Sequence, residues 1–156
     1  MTSTRTRKTS ASPRRIDLDR MPGHCIRRLQ QIAVALFMQE CADAGLTPVQ
    51  YAVLQALSAQ PGIDQRRLAR AVSFDTSTIG GVIDRLEARG LLTRSLSPDD
   101  RRVRLLHLTA EGEALLPDLI PPMLRTQQRI LDPLPAAERK EFMRMMQAVI
   151  AHHDGV

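Results

Sequence analysis

Apolar residues recur along most of this chain at intervals of three and four, the period of an amphipathic helix. Ile26, Leu29, Ile32, Ala33, Leu36 and Phe37 trace a first stripe between Pro22 and Ala44, which Gly45 ends. Thr47, Pro48 and Gln50 then read as an N-cap, a first-turn proline and the far side of a capping box. The helix that follows, from Val49 to about Ala59, turns Val53, Leu54 and Leu57 inward. After the turn Pro61-Gly62-Ile63-Asp64, with Asp64 as cap, Leu68, Ala69 and Val72 share one side of a short helix. Asp75 or Ser73 caps the next one, with Ile79, Val82, Ile83 and Leu86 inward and Gly90 as terminator. The period then changes. Residues 91–97 and 103–109 read as two short strands around the turn Pro98-Asp99-Asp100-Arg101-Arg102.

Two short helices joined by a tight turn form a helix-turn-helix, and a β-hairpin directly behind it forms a winged helix. From the cap Thr109 the chain returns to helix through Leu115, Leu116, Leu119 and Ile120, and Pro121-Pro122 is expected to break or kink it. A last helix, about Ala136 to His153, gathers Phe142, Met145, Met146, Val149 and Ile150 on one face. The expected fold class is mainly α with a small β part, a winged helix flanked by N- and C-terminal helices. No internal repeat occurs.

Composition narrows this reading. A chain of 156 residues is one ordinary domain, and three Phe, one Tyr and no Trp favour aliphatic helix packing over a sandwich. No apolar run approaches the roughly 20 residues of a membrane span. No apolar signal segment follows the start, so the expected location is the cytoplasm. The net charge is +5, and Arg5, Arg7, Lys8, Arg14 and Arg15 precede the first acid, Asp17. Residues 1–20 therefore read as a disordered basic tail, able to attract phosphates without selecting a sequence.

The stretches GLTPVQYAVLQAL, DTSTIGGVIDRLEARGLLTR and SPDDRRVRLLHLTAEG resemble the MarR family of bacterial transcriptional regulators from about Pro22 onward. The most specific part is the wing: Asp100, Arg101, Arg102, Leu106, Leu108, Thr109, Glu111 and Gly112. The resemblance implies a homodimer on double-stranded DNA, with residues 21–46 and 109–156 forming the helical dimerisation region and 47–108 the DNA-binding lobe. The second helix of a helix-turn-helix enters the major groove by its N-terminal end. Thr76, Ser77 and Thr78 are thus expected at base edges or phosphates, or as capping residues, with Arg85 and Arg89 on phosphates or paired with Asp84 and Glu87. By resemblance, Arg102 enters the minor groove, oriented by Asp100, while Arg94, Arg101 and Arg104 flank the backbone. Gly80 and Gly81 each cost a helix interior about 0.5–1 kcal/mol against alanine. Either they let the backbone approach the groove wall, or they serve packing against the neighbouring helix.

The family resemblance also implies regulation by a small molecule. His24 and Arg28, with Tyr51, form a candidate site for an aromatic carboxylate or phenol, since arginine grips carboxylates bidentately; the other reading makes His24 a helix-start residue and puts Arg27 and Arg28 on DNA phosphate or a partner acid. The stretch PGHCIRRLQQIAVALF resembles the subgroup that controls aromatic-acid catabolism. An alternative is peroxide sensing through Cys25, set against a structural, buried role for that thiol. Cys25 and Cys41, on one helix, would lie about 24 Å apart and could not bridge within one chain. The His152-His153-Asp154 cluster and dispersed His24 and His107 offer no zinc-ligand spacing. No cofactor is expected. No phosphate-binding loop, dinucleotide fingerprint or nucleophile elbow occurs, which disfavours an enzyme. An architectural DNA-binding protein without sequence preference is the remaining alternative class.

Overall fold

The computed structural model describes residues 17–153. The basic tail expected at residues 1–20 falls outside these for residues 1–16, but residues 17–20 are not disordered. Asp17 accepts from the Asp19 N–H and caps a 3-10 turn, Leu18–Arg20. Helix α1 (Pro22–Glu40) follows, ends in a second 3-10 turn, Ala42–Ala44, and is closed by Gly45 at φ 57°. Helix α2 (Pro48–Ala59) starts with the expected box, in which Gln50 N–H donates to Thr47 Oγ1 and Thr47 N–H to Gln50 Oε1. Helix α3 (Gln65–Ala71) is capped by Asp64, and α4 (Thr76–Ala88) by Asp75 rather than Ser73.

The wing consists of β2 (Leu92–Leu96) and β3 (Arg104–Leu108), antiparallel with Leu92 opposite Leu108 and Leu96 opposite Arg104. A two-residue strand before α3, β1 (Ile63–Asp64), pairs with the other side of β3, giving the order β1-β3-β2. The sequence pattern shows no sign of β1, because two residues carry no period. Its backbone is recruited by β3, with Ile63 opposite the buried Leu106.

One aliphatic core fills the lobe. Leu54 and Leu57 of α2, Leu68 of α3, Ile79, Ile83 and Leu86 of α4, and Leu106 of β3 are all but inaccessible to solvent. Leu116 and Leu119 bring α5 (Ala110–Leu131) into the same core.

Helix α5 shows no break at the double proline. It runs unbroken through Pro117, Pro121 and Pro122, although each proline removes a rung of the helix ladder. Both halves are held from outside. Leu116 and Leu119 are buried before Pro121 and Pro122, and beyond them Arg125 and Arg129 donate to the two oxygens of Glu40 at 2.7 and 2.8 Å. These bonds hold the Glu40 carboxyl below the usual glutamate range. The Thr126 hydroxyl adds a bond to Pro122 O at 2.9 Å.

Outside the lobe the apolar stripes lie open. Ile26 on α1 is 61% exposed, Leu124 on α5 63% and Ile150 on α6 (Ala136–His153) 59%. Helix α6 buries no residue within the single chain. Cys25, expected as a buried thiol, is exposed and donates to Asp19 O at 3.3 Å, while Cys41 is buried, which pushes its thiol pKa up. Among the described residues no three His, Cys, Asp or Glu side chains gather to hold a metal, and no helix is long and apolar enough to cross a membrane. Asp154 of the histidine cluster lies outside the described residues.

Candidate nucleic-acid interface

The N-terminal turn of α4 is fully presented. Thr76, Ser77 and Thr78 are all exposed, and Ile79 begins the buried face. Asp75 accepts the Ser77 N–H at 2.6 Å, and hydrogen bonds from the Ser77 side chain and backbone hold the Asp75 carboxyl below its usual range. Ser77 therefore contributes to the cap, and the hydroxyls of Thr76 and Thr78 are the freer pair. Arg85, one helical repeat further along, is exposed.

The wing tip carries its own scaffold. Ser97 Oγ accepts from the N–H groups of Asp99 and Asp100, which closes the turn. Asp100 in turn accepts from Arg102 N–H at 2.9 Å, from Nε at 3.2 Å and from a terminal nitrogen at 3.3 Å. The Arg102 side chain is 91% exposed, so Asp100 fixes its base and leaves its outer edge to solvent. The guanidinium beside Asp100 holds that carboxyl below the usual range. Arg101 and Arg104 are exposed and lack a carboxylate partner among the described residues.

Two of the expected phosphate ligands have other occupations. Arg94 on β2 reaches across to α4 and bonds both Asp84 and Glu87, one turn apart on that helix. Its charge is consumed there, and the wing strand is fastened to the recognition helix. Arg89 donates through one terminal nitrogen to Gly45 O at 2.8 Å and through the other to Ala44 O at 2.9 Å. It is paired with neither Asp84 nor Glu87. Both guanidiniums thus fork onto acceptors within the chain, an arrangement that a planar five-donor group suits.

Arg66 and Arg67 on α3 went unassigned in the sequence. Both are exposed and without carboxylate partners among the described residues. Their signal is the Arg-Arg pair in the first turn of the helix that crosses the backbone in a helix-turn-helix.

Neither glycine of α4 is demanded by packing. A Cβ on Gly80 would lie 3.4 Å from the Gln65 amide nitrogen, and one on Gly81 3.6 Å from an Arg85 terminal nitrogen. Both neighbours are ends of flexible side chains. Gly80→Ala and Gly81→Ala are each expected to raise stability by about 0.5–1 kcal/mol, from helix propensity alone, while weakening DNA affinity. Thermal unfolding and fluorescence anisotropy check this pair; lower stability with unchanged affinity would restore the packing explanation.

The candidate effector residues fall into two groups. His24 Nε2 lies 3.8 Å and an Arg28 terminal nitrogen 3.2 Å from Asp19 Oδ1. Arg27 donates from a terminal nitrogen to His24 Nδ1 at 3.3 Å and has no carboxylate partner among the described residues. Tyr51 belongs elsewhere, its ring 6.0 Å from that of Phe37 and its hydroxyl accepting from Gln55 at 2.9 Å. Phe37 is about 20 Å along α1 from His24 at the helical rise, so one chain does not bring all three together.

A helix-turn-helix with an exposed polar leading turn, followed by a hairpin holding an arginine upright at its tip, defines a winged-helix DNA-binding protein. A model of the MarR family matches residues 46–103. The HTH-type transcriptional repressor NicR of Pseudomonas putida is 34% identical over 134 residues, which cover 86% of this chain and 85% of that protein. The structure of PcaV from Streptomyces coelicolor with its natural ligand shares 40% identity at a TM-score of 0.78, over 88% of this chain and 96% of that one. BpsR of Bordetella bronchiseptica, whose DNA binding is regulated by 6-hydroxynicotinic acid, shares 35% identity at a TM-score of 0.80, over 86% and 96%. The chain belongs to the MarR family and is a DNA-binding transcriptional regulator.

Proposed function

We propose that this chain is a homodimeric repressor, not an enzyme, that acts in the cytoplasm and leaves a pseudo-palindromic operator when a small aromatic acid or phenol binds. The observation that carries the DNA-binding half is the exposed Arg102, braced by Asp100, beside the open leading turn of α4. Thr76, Thr78 and Ser77 face base edges, Arg102 enters the minor groove, and Arg85, Arg101, Arg104, Arg66 and Arg67 lie along phosphates.

The open apolar faces of α1, α5 and α6 form the dimer core, so residues 21–46 and 109–156 make the dimerisation region and 47–108 the lobe. Patches of this extent are seldom left in water. A carboxylate ligand pairs with Arg27 or Arg28 beside His24, and its ring packs against Tyr51. Because His24 lies at the start of α1 and Tyr51, on α2, packs against Phe37 near the end of α1, the two sets meet only where two protomers each contribute one.

The test starts from a duplex enriched by the full-length protein out of a random-sequence pool. Enrichment of a palindrome with half-sites about 34–36 Å apart is expected, whereas an architectural protein enriches none. A thermal-shift series with 6-hydroxynicotinic acid, benzoate and 4-hydroxybenzoate follows. An effector present at about 100 times its Kd adds roughly 2.7 kcal/mol of stability and releases the duplex. If all three acids leave both melting and duplex affinity unchanged at millimolar concentration, the aromatic-acid assignment fails.

A further inference from the structure

Three elements converge at the end of α4. Thr109 Oγ1, at the start of α5, donates to Gly90 O, and Thr109 N–H donates to Leu91 O at 3.2 Å. From the opposite side, Arg89 forks onto Ala44 O and Gly45 O. The last turn of the recognition helix is therefore fastened to both helices that leave the lobe, α5 directly and α1 through the turn that follows it.

That turn is itself a wall. Glu40, Cys41, Asp43 and Ala44 line a cavity of about 440 Å³, which Leu119 and the kink-prone Pro121-Pro122 close from the α5 side. Ala44 thus faces the cavity with its side of the turn while its carbonyl oxygen holds Arg89. Gly45, the next residue, is left-handed at φ 57°, a conformation that fixes the direction of both carbonyls toward one fork.

We infer that Arg89 is a positioning residue for DNA recognition: its fork onto Ala44 and Gly45 sets the angle of α4 from the α1–α5 junction, and it contacts no phosphate. The inference rests on the DNA-binding role proposed above. The geometry makes the fork, not the charge, the working part. A lysine keeps the positive charge but cannot donate along two divergent directions from one planar group.

Charge and fork are separated by salt. Each phosphate contact contributes about 0.9 to the slope of log K against log salt, so loss of one arginine contact per protomer reduces the slope of a dimer by about 2. Arg89→Ala and Arg89→Lys are measured in the full-length protein by fluorescence anisotropy at several salt concentrations. The probe is the duplex enriched by the wild-type protein, paired with copies whose half-site spacing is changed by one and two base pairs.

The expected result is that both variants lose at least ten-fold in affinity with an unchanged slope, and bind the three spacings with nearly equal affinity. Overturning outcomes are wild-type affinity in either variant, or a slope reduced by about 2 in Arg89→Ala with Arg89→Lys restored to wild type, which makes Arg89 a phosphate ligand. Should Arg89→Ala melt too low to assay, Arg89→Lys carries the comparison alone: wild-type affinity and spacing selectivity sink the inference, and loss of both sustains it. Failure of the wild-type protein to enrich any duplex instead removes the DNA-binding reading beneath it.

Discussion

Arg102→Ala is expected to weaken operator binding by at least about 100-fold while leaving the dimer and its melting temperature unchanged. The side chain is almost wholly exposed and touches only Asp100, so its removal takes nothing from the core. One arginine contact in a groove accounts for about 1–3 kcal/mol, and the dimer proposed above would insert two. Narrow minor grooves concentrate negative potential, so the loss falls hardest on operators with A·T-rich flanks.

Asp100→Ala is the milder companion. It keeps the guanidinium but frees it from a single orientation. The Asp100 carboxyl titrates below its usual range, so its hold on Arg102 is complete at neutral pH and is released only as pH falls through that lowered value. Operator affinity between pH 6 and 8 accordingly shows no step from this pair. Gel-filtration and anisotropy on both variants decide the matter: an Arg102→Ala protein that binds within three-fold of wild type removes the wing from the recognition surface.

Gly112→Ala carries the largest expected cost in stability. A Cβ there would overlap the carbonyl oxygen of Leu91 and stand 3.1 Å from its carbonyl carbon. Both are backbone atoms, and the Leu91 oxygen already accepts the Thr109 N–H. Neither can swing aside as a side chain does. Either α5 or the β2 approach must shift, and overpacking of this kind costs about 1–3 kcal/mol, more where backbone is pushed.

A loss of about 3 kcal/mol lowers the melting temperature of a chain this long by roughly 6–12 °C. Gly23→Ala is the control, since a Cβ there meets nothing within 4 Å, and the added alanine favours α1. Calorimetry that finds the two variants equally stable contradicts the close approach.

Local chemistry was readable in advance, and tertiary chemistry was not. Thr47, Asp64, Asp75 and Thr109 announce their helices because a cap acts on residues two or three positions away. The brace of Arg102 by Asp100, which the family resemblance implies, is also local, spanning two positions. The intrachain partners of Arg89 and Arg94 are not legible in the sequence because they lie far off or on another element: Gly45 is 44 positions from Arg89, and Asp84 is 10 from Arg94. An exposed arginine and an internally forked one look alike in a string of letters. Gly112 reads only as part of a motif, and its necessity appears once Leu91 stands against it. For the complementary reason the double proline does not break α5, since local propensity is overruled when both sides of the site are anchored.

Those prolines also set a mechanical scale. Leu131 lies about 15 Å beyond Pro121 along α5, at 1.5 Å per residue. A flexure of about 10° at the missing rungs then swings that end by roughly 3 Å, on the order of a whole hydrogen-bond length. What opposes such a swing is the pairing of Arg125 and Arg129 with Glu40, so the far end of α5 is tied to α1 by charge where its own ladder is interrupted.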